Sequence, residues 1–405
     1  MSVIRVHENY IKPIIEEDIN VWTLFEKKDG NIYCMGSIKE DRFIQLDENN
    51  KDAIQAAVGY MDGSHSLQDI ECILEESHGY KLNMEHLYTW LCKAGLISNP
   101  LEEYKVEKQE MDYLSVTLKK VNLKKLYSSF QKFTDKLLTP VTWVCSTLIL
   151  VGLILMIFNM KEFFTLRNYM LGGSVGLGIV AMLGIFVLSI GIHEFAHAIV
   201  GYRYGLKPSQ LVLALYVGTP MFYVKMPGIY TIEPKLRLRV WFAGIYCNMS
   251  IAAFAGILLQ FAEGNVYKFL LLVCTTNISL VVANLSPLLP LDGYFMLSTI
   301  LKRPNLRKGS FKQFKEWALG RENSFHGLYT IYFLVSVGFY ATVIGFEIRW
   351  IMSVINKGMS KGYTFSQYIY EFRVILLVLA VILGKKVIEI ISVYLKNRNK
   401  VRVHD

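Results

Sequence analysis

The sequence has few charged residues and lacks the cysteine spacing of small stabilised scaffolds. Charged residues make up 19% of the 405 positions, whereas soluble globular proteins carry about 25%. Hydrophobic residues make up 53%. The six cysteines include no C-x-x-C pair, which excludes a disulfide scaffold and a cysteine-rich zinc module. Three of them stand inside apolar runs, where a thiol behaves as a small hydrophobe: Cys145, Cys247 and Cys274.

The N-terminal part lacks any apolar run long enough to cross a bilayer, and it lacks the apolar core of a signal peptide. Between residues 20 and 100, seven Lys or Arg stand against thirteen Asp or Glu. This segment therefore carries a net charge of about −6, and the rest of the chain about +15. We expect residues 1–105 to form a cytosolic domain.

Six apolar runs follow, each close to the ~20 residues that a helix needs to cross the hydrocarbon core. They lie at 141–159, 175–200, 240–262, 268–290, 328–346 and 372–394. Four basic segments carry six, six, seven and six Lys or Arg: 114–139, 201–239, 301–326 and 385–405. The alternate connections at 159–174, 263–268 and 347–371 carry only two, one and three Lys or Arg. The positive-inside rule thus predicts a multi-pass membrane protein with both termini in the cytosol, and we expect the membrane to be a bacterial cell membrane.

The net charge of +9 is accounted for by membrane orientation, so no nucleic-acid partner is expected. Residues 106–139 link the cytosolic domain to the first span. Apolar residues recur there at near-helical spacing with six lysines between them. This pattern predicts a basic amphipathic helix that lies in the cytosolic interface against anionic lipid. A plain charged linker helix is the alternative.

The second predicted span contains the motif His193-Glu194-Phe195-Ala196-His197. Because residues four apart share one helix face, both imidazoles can bind one metal ion. Glu194 stands beside them, where it can take a proton from metal-bound water. Ionisable side chains in a membrane span are unfavourable unless they are paired or bind metal. The alternative is a polar cluster that only links helices.

A catalytic zinc site needs a third protein ligand and an open position. Nearly all the other histidines lie in the predicted cytosolic domain, in a loop or at the tail. Asp292 is the acidic residue with apolar surroundings elsewhere in the core, at the cytosolic end of the fourth span. The two histidines lie at a similar depth. Pro287 and Pro290 break the helix before Asp292, and such freed backbone is tolerated where it lines a cavity.

Two motifs about ninety residues apart, H-E-x-x-H from His193 and N-x-x-P-x4-D-G from Asn284, resemble the site-2 protease family of intramembrane zinc metalloproteases. The resemblance implies that Zn2+ is bound by His193, His197 and Asp292. It implies that Glu194 is the general base of peptide hydrolysis. It also implies that Asn284 lies near the metal and helps to hold the substrate or the oxyanion.

The resemblance covers residues 175–300, the core of a membrane domain over 140–405. Within it, Ala243-Gly244 and Asn248 resemble a small-residue motif of the family, but Ile245 replaces the usual proline. We therefore carry over close helix packing only. Family members hold a membrane-embedded β-hairpin that offers an edge to substrate. The resemblance implies such a hairpin between Leu211 and Tyr230, and a simple cytosolic loop is the alternative.

The N-terminal domain is predicted to contain a small sheet followed by helices. Strands are expected at 21–25, 32–35 and 43–47, and helices around 50–60 and in two later segments. This order, with the stretches G-S-H-S-L-Q-D-I and K-A-G-L-I, resembles the PqqD-type winged-helix domain, the leader-recognition element of ribosomally synthesised peptide (RiPP) modification systems. The resemblance implies that a leader adds as a strand near Leu24 to Met35. DNA binding, which the acidic balance opposes, and a structural cap are the alternatives.

The predicted fold is a polytopic α-helical membrane protein with about six transmembrane helices, a site-2 protease core and a small α+β winged-helix domain. The expected function is an intramembrane zinc endopeptidase that cleaves a small precursor peptide during bacteriocin-like maturation or export. Alternatives are cleavage of a membrane-anchored anti-sigma factor or signal peptide, and a non-proteolytic export or immunity partner. Expected partners are the peptide substrate, the lipid bilayer and a peptide-modifying enzyme or transporter.

Overall fold

The computed structural model describes residues 11–28, 30–101, 115–216, 219–321, 327–367 and 369. Within these ranges the chain is mostly helical and contains two three-stranded sheets. The sixth predicted span, 372–394, lies outside the described residues.

The N-terminal region has the predicted order of elements. Its antiparallel sheet consists of β1 (Ile19–Phe25), β2 (Ile32–Ser37) and β3 (Arg42–Asp47), with β2 in the centre. Three helices follow: α1 (Glu48–Gly59), α2 (Leu67–His78) and α3 (Met84–Ala94). Apolar side chains of the sheet and the three helices form one buried core. The predicted small α+β region at the N-terminus is thus confirmed in outline.

Local sequence signals set the ends of these helices. Ser66 accepts a hydrogen bond from the Asp69 amide, and the Asp69 carboxylate accepts one from the Ser66 amide, which together form a capping box. Gly95 has a φ of 71°, in the left-handed region that ends helices, and terminates α3. These caps fix where helix α2 begins and where helix α3 ends.

The segment predicted as one amphipathic helix is only partly helical. Ser115–Asn122 forms β4, which pairs with β5 (Gln210–Tyr216), and β6 (Thr219–Lys225) completes a sheet in the order β4-β5-β6. Helix α4 (Tyr127–Lys136) then follows. The helical prediction is wrong for residues 115–122, because Val and Thr favour a strand when a partner strand is available. That partner lies about ninety residues further along the chain.

In the part of the chain that the structure describes, five helices are long and apolar enough to cross a membrane. They are α5 (Leu138–Phe158), α6 (Val175–Arg203), α7 (Pro234–Leu258), α8 (Gly264–Leu285) and α11 (Gly327–Lys361). A single turn at Met160–Phe163 and the shorter helices α9 (Asp292–Ile300) and α10 (Leu306–Ala318) lie between them. Five of the six predicted spans thus coincide with helices.

Helix α7 is the centre of the membrane bundle. It packs against α5, α6, α8 and α9. In its most apolar stretch 56% is buried inside the protein, compared with 17% to 33% in the corresponding stretches of the other four long helices. Small residues allow this close packing: a Cβ added to Gly152 of α5 would lie 2.6 Å from Ala253 Cα of α7. Asn277 of α8 donates a hydrogen bond of 3.0 Å to Ser189 Oγ of α6. The bundle is therefore joined by backbone contact and buried polar pairs.

The N-terminal region contacts the membrane bundle at two loops. Cys34 Sγ lies 3.7 Å from the Tyr230 carbonyl oxygen, and Lys302 Nζ donates to the Glu26 carbonyl oxygen at 2.5 Å. Tyr230 and Lys302 belong to two different basic segments that were predicted to face the cytosol. These contacts place the N-terminal sheet on the side of the bundle where both segments lie.

A cysteine pair tests the unexpected strand β4. Val121 lies opposite Leu211 in the β4–β5 register, whereas Val212 points to the other face of the sheet. The double variant Val121→Cys/Leu211→Cys should form a disulfide on mild oxidation, because opposed strand residues lie within disulfide distance. Mass spectrometry of the linked peptides measures the yield. The control, Val121→Cys/Val212→Cys, should stay unlinked; equal yields from the two pairs would contradict the strand.

Candidate metal centre

The three predicted metal ligands converge at one point. His193 and His197 lie on α6, and Asp292 is the first residue of α9. The two Nε2 atoms are 3.1 Å apart, and Asp292 Oδ2 lies 3.0 Å from His193 Nε2 and 3.2 Å from His197 Nε2. All three residues are buried, with relative exposures of 3%, 2% and 9%. The three donor atoms form a nearly equilateral triangle.

This triangle has the size that a metal ion requires. A tetrahedral ion with bonds of about 2.0–2.1 Å separates its ligand atoms by about 3.3 Å. Two imidazole nitrogens and a carboxylate oxygen at 3.0–3.2 Å match that spacing closely. Two lone pairs 3.1 Å apart repel each other unless a proton or a cation lies between them. The cluster can therefore hold a metal ion.

A main-chain carbonyl selects the tautomer of His197. His197 Nδ1 lies 2.7 Å from the Val240 carbonyl oxygen on α7. Because a carbonyl oxygen can only accept, Nδ1 carries the hydrogen and Nε2 keeps its lone pair. That lone pair faces Asp292 and His193, as metal binding requires.

The side chain of Asn248 contacts the outer nitrogen of His193, as the Val240 carbonyl contacts that of His197. Its side-chain Nδ2 lies 3.1 Å from His193 Nδ1, and the residue is fully buried on α7. With the amide oxygen toward the ring, His193 Nδ1 donates and Nε2 is free to bind a metal; the opposite orientation of the amide places the hydrogen on Nε2. Metal binding therefore selects the first orientation. Sequence reasoning had assigned Asn248 only to helix packing.

Gly244 keeps the space beside the ligand nitrogens clear. A Cβ at this position would overlap His193 Nε2 and would lie 2.5 Å from His197 Nε2. Any side chain would therefore fill the space that an ion shared by these two nitrogens needs. The predicted close packing at Ala243-Gly244 is confirmed for Gly244, and its target proves to be the metal-binding atoms themselves.

Glu194 links α6 to the β-hairpin. Its Oε2 accepts a hydrogen bond of 2.9 Å from the Val224 amide of β6. The ligand atoms of Glu194, His193 and His197 lie within 4.8 Å of one another. The predicted general base thus stands next to the metal-binding atoms. The predicted hairpin between Leu211 and Tyr230 is present as β5 and β6.

Asn284 contacts the site through its backbone. Its side-chain nitrogen donates to the Leu280 carbonyl oxygen of the same helix at 3.0 Å, and no hydrogen bond in the described ranges joins its side chain to the three ligands. A Cβ on Gly293 would lie 2.7 Å from the Asn284 carbonyl oxygen and 2.5 Å from that of Leu285. The two ends of the N-x-x-P-x4-D-G motif, Asn284 and Asp292-Gly293, are therefore adjacent. The role of Asn284 at the oxyanion stays a prediction.

Two tyrosines of α11 support the loop that presents Asp292. Helix α8 ends at Leu285 because the residue before a proline is driven out of the helical conformation. Tyr332 Oη donates to the Pro287 carbonyl oxygen at 3.0 Å, and Tyr340 Oη donates to that of Leu288 at 3.1 Å. These bonds satisfy carbonyls that the broken helix leaves free. The sequence carried no signal for either contact, because it does not show which span faces the loop.

Among known proteins, no family, no curated protein and no solved structure matches this chain. Across the described ranges, the geometry itself establishes five helices able to span a membrane and a His-Glu-His group, with both histidines buried, that can hold a metal ion. An aspartate from a second helix closes the same cluster.

Gly244 offers a direct test of the site. The variant Gly244→Ala should lower metal affinity about tenfold or more, because the added methyl group displaces the imidazole nitrogens. Metal content after dialysis against graded chelator, read by mass spectrometry of the metal, measures the change. Gly191→Ala is the matched control on α6, where a Cβ meets nothing within 4 Å. Equal metal retention in both variants would contradict the assignment.

Proposed function

We propose that the protein is an intramembrane zinc endopeptidase of the site-2 protease type. The observation that carries the proposal is the triangle of His193 Nε2, His197 Nε2 and Asp292 Oδ2, with sides of 3.0–3.2 Å, next to Glu194. Two histidines and one carboxylate form a ligand set of catalytic zinc sites that leaves a position open for water. His193 and His197 lie on a helix of membrane-spanning length, and Asp292 begins the short helix α9 beside it.

Each polar residue of the site has a part in hydrolysis. When bound, zinc supplies a water of lowered pKa and polarises the scissile carbonyl. Glu194 takes the proton of the attacking water and delivers it to the leaving amine. The bond from the Val224 amide occupies one carboxylate oxygen and orients the other for this transfer. Asn284 can donate to the oxyanion once its amide turns away from Leu280.

The position of β6 favours a peptide substrate in extended form. Among the described strands, β6 pairs with β5 alone, and its Val224 amide donates to Glu194, so the outer edge of β6 faces the carboxylate. An extended chain can add to such an edge through main-chain hydrogen bonds. A substrate helix has its amides paired internally, so it must unwind before it reaches Glu194.

We place the protein in a bacterial cell membrane as a multi-pass protein with cytosolic termini. Support comes from the contacts of the N-terminal sheet with Tyr230 and Lys302, which lie in two of the four basic segments. Basic connections remain on the cytosolic side during insertion. The N-terminal domain, the hairpin and the metal centre then share the cytosolic half of the bundle.

The N-terminal domain is proposed to bind the leader of a small precursor peptide, as PqqD-type domains do. The strand addition predicted near Leu24 to Met35 is restricted to β1, because β2 is paired on both sides. The free edges of this sheet belong to β1 and β3. A peptide-modifying enzyme or a transporter is the expected further partner, and the acidic balance of the domain opposes nucleic acid.

Two alternatives use the same structure. Cleavage of a membrane-anchored anti-sigma factor or signal peptide requires the same metal centre but no leader-binding domain. A non-proteolytic export or immunity partner requires the metal ligands but not Glu194. Because Glu194 is held beside the ligands by β6, hydrolysis is favoured over a purely structural metal site.

The first functional prediction concerns Glu194. The variant Glu194→Gln should retain zinc and lower cleavage by about 10²–10⁴-fold, because the amide cannot take a proton. The assay uses the purified chain in proteoliposomes with the short peptides encoded beside its gene, and mass spectrometry detects new termini. Zinc content confirms that the site is intact. Cleavage by the variant at the wild-type rate would contradict the role of Glu194 as general base. Iron instead of zinc in the purified chain would contradict the assignment of the cofactor.

The second concerns the N-terminal domain. A chain without residues 1–105 should keep its metal but show a raised KM or no turnover on the full-length precursor, because it cannot bind the leader. A precursor shortened by its leader serves as the control and should be cleaved equally by both chains. Unchanged kinetics on the full-length precursor would leave the domain a structural role.

A further inference from the structure

A cavity lies between the N-terminal sheet and the membrane bundle. It has a volume of about 910 Å³. Its lining includes Arg42–Gln45 of the β3 edge, Val224 and Lys225 at the end of β6, and Arg237 and Trp241 of α7. The cavity thus extends from the N-terminal sheet, where Leu24, Cys34 and Gln45 place all three strands in its wall, to the end of β6.

Arg237 lies in the wall of this cavity without a counter-ion. Its side chain is fully buried, and Nη2 donates to the carbonyl oxygens of Tyr230 at 3.1 Å and Ile232 at 3.0 Å. Nε and Nη1 are buried without any hydrogen-bond partner in the described part of the chain. Glu40 and Asp41 also line the cavity, but both are exposed and neither forms an ion pair with Arg237. Two guanidinium donors therefore remain unused.

Trp241 adds another unused donor one turn further along α7. Its Nε1 is buried and has no hydrogen-bond partner among the described residues. The ring is held by stacking on Phe295, with centroids 4.9 Å apart and planes inclined by 23°. Residues four apart share one helix face, and Arg237 and Trp241 both line the same cavity with three donor nitrogens unpaired.

Such donors are unfavourable to bury unless they find an acceptor. A desolvated guanidinium without a counter-ion and an indole N–H without an acceptor both raise the free energy of the folded chain. A carboxylate supplies the missing counter-charge, and its oxygens can accept one hydrogen bond from an unpaired guanidinium nitrogen of Arg237 and another from Trp241 Nε1. We propose that Arg237 and Trp241 form a binding site for a carboxylate of the substrate peptide. This inference rests on the proposed peptidase function.

The position of this site on α7 relates it to the metal centre. Val240, which accepts from His197, and Gly244, which borders the ligands, lie three and seven residues beyond Arg237. Seven residues of helix correspond to about 10 Å along the axis, and an extended peptide covers about 3.3 Å per residue. The carboxylate should therefore lie about three residues from the scissile bond. The cavity is walled by the N-terminal sheet and the end of β6, and this position favours a peptide over a lipid headgroup as the bearer of the carboxylate.

Peptide pairs that differ only in charge test the site. The probes are dansyl-labelled heptapeptides of Val and Thr with Glu or Gln at the fourth position, each with a free or an amidated C-terminus. Binding to the full chain carrying Glu194→Gln, in nanodiscs, is measured by fluorescence anisotropy, so that no cleavage occurs. A carboxylate should raise affinity about tenfold or more over the neutral amidated peptide. The Glu and free-terminus arms show whether a side-chain or a terminal carboxylate is bound.

Variants of Arg237 and Trp241 test whether these two residues cause the preference for peptides with a carboxylate. Arg237→Gln should reduce the affinity ratio of acidic to neutral peptide to about one. Arg239→Gln is the matched control, because Arg239 is exposed on the same helix and hydrogen-bonds Tyr204 Oη at 3.4 Å. Trp241→Phe should lower the ratio a few-fold while the ring still stacks on Phe295. If Arg237→Gln fails to fold, as judged by lost zinc, Trp241→Phe still decides the test.

The opposing outcomes are equally definite. Equal affinity for acidic and neutral peptides, no saturable binding of either, or a ratio that survives Arg237→Gln would overturn the carboxylate site. A lowered Tm with an unchanged ratio would leave Arg237 a structural role. Because the readout is binding, a preference for acidic peptides without any cleavage by the wild-type chain would reject the peptidase and keep the site.

Discussion

Two imidazoles and a carboxylate meet at one point among apolar helices, and the bundle is arranged around the need to satisfy them. Each group is stable there only if both of its polar ends have partners. The outer nitrogens of the imidazoles are met by Val240 and Asn248 of α7, while the inner nitrogens face Asp292. Helix α7 is therefore both the most buried long helix and the one that orients the ligands.

The same need explains the loop before Asp292. A continuous α8 would leave no route for a carboxylate to reach the histidines from the side. Pro287 ends the helix, the chain turns back, and Gly293 allows the start of α9 to approach the end of α8. The free carbonyls produced by this turn are bound by tyrosines of α11. Chain reversal and its stabilisation thus come from different parts of the sequence.

Much of this arrangement could be predicted from the sequence, because its signals are local. Helical spacing placed His193 and His197 on one face, and apolar runs located five helices. The strand β4 was missed because its partner lies far along the chain and lysines at helical spacing imitate an amphipathic helix. Asn248 and the unpaired donors of Arg237 were also missed. Whether a buried polar group has a partner depends on which helices pack together, and no local pattern records that.

The groups that orient the side chains of the metal centre differ in how they tolerate amino-acid substitution. Glu194 and His197 are held by a main-chain amide at Val224 and a main-chain carbonyl at Val240. Every residue type supplies the carbonyl, and every type except proline supplies the amide. Substitutions at Val224 can therefore change the side chain while the orientation of the Glu194 carboxylate is preserved. Val240 is more constrained, because its side chain is also fully buried against Leu206, Met226 and Ile229.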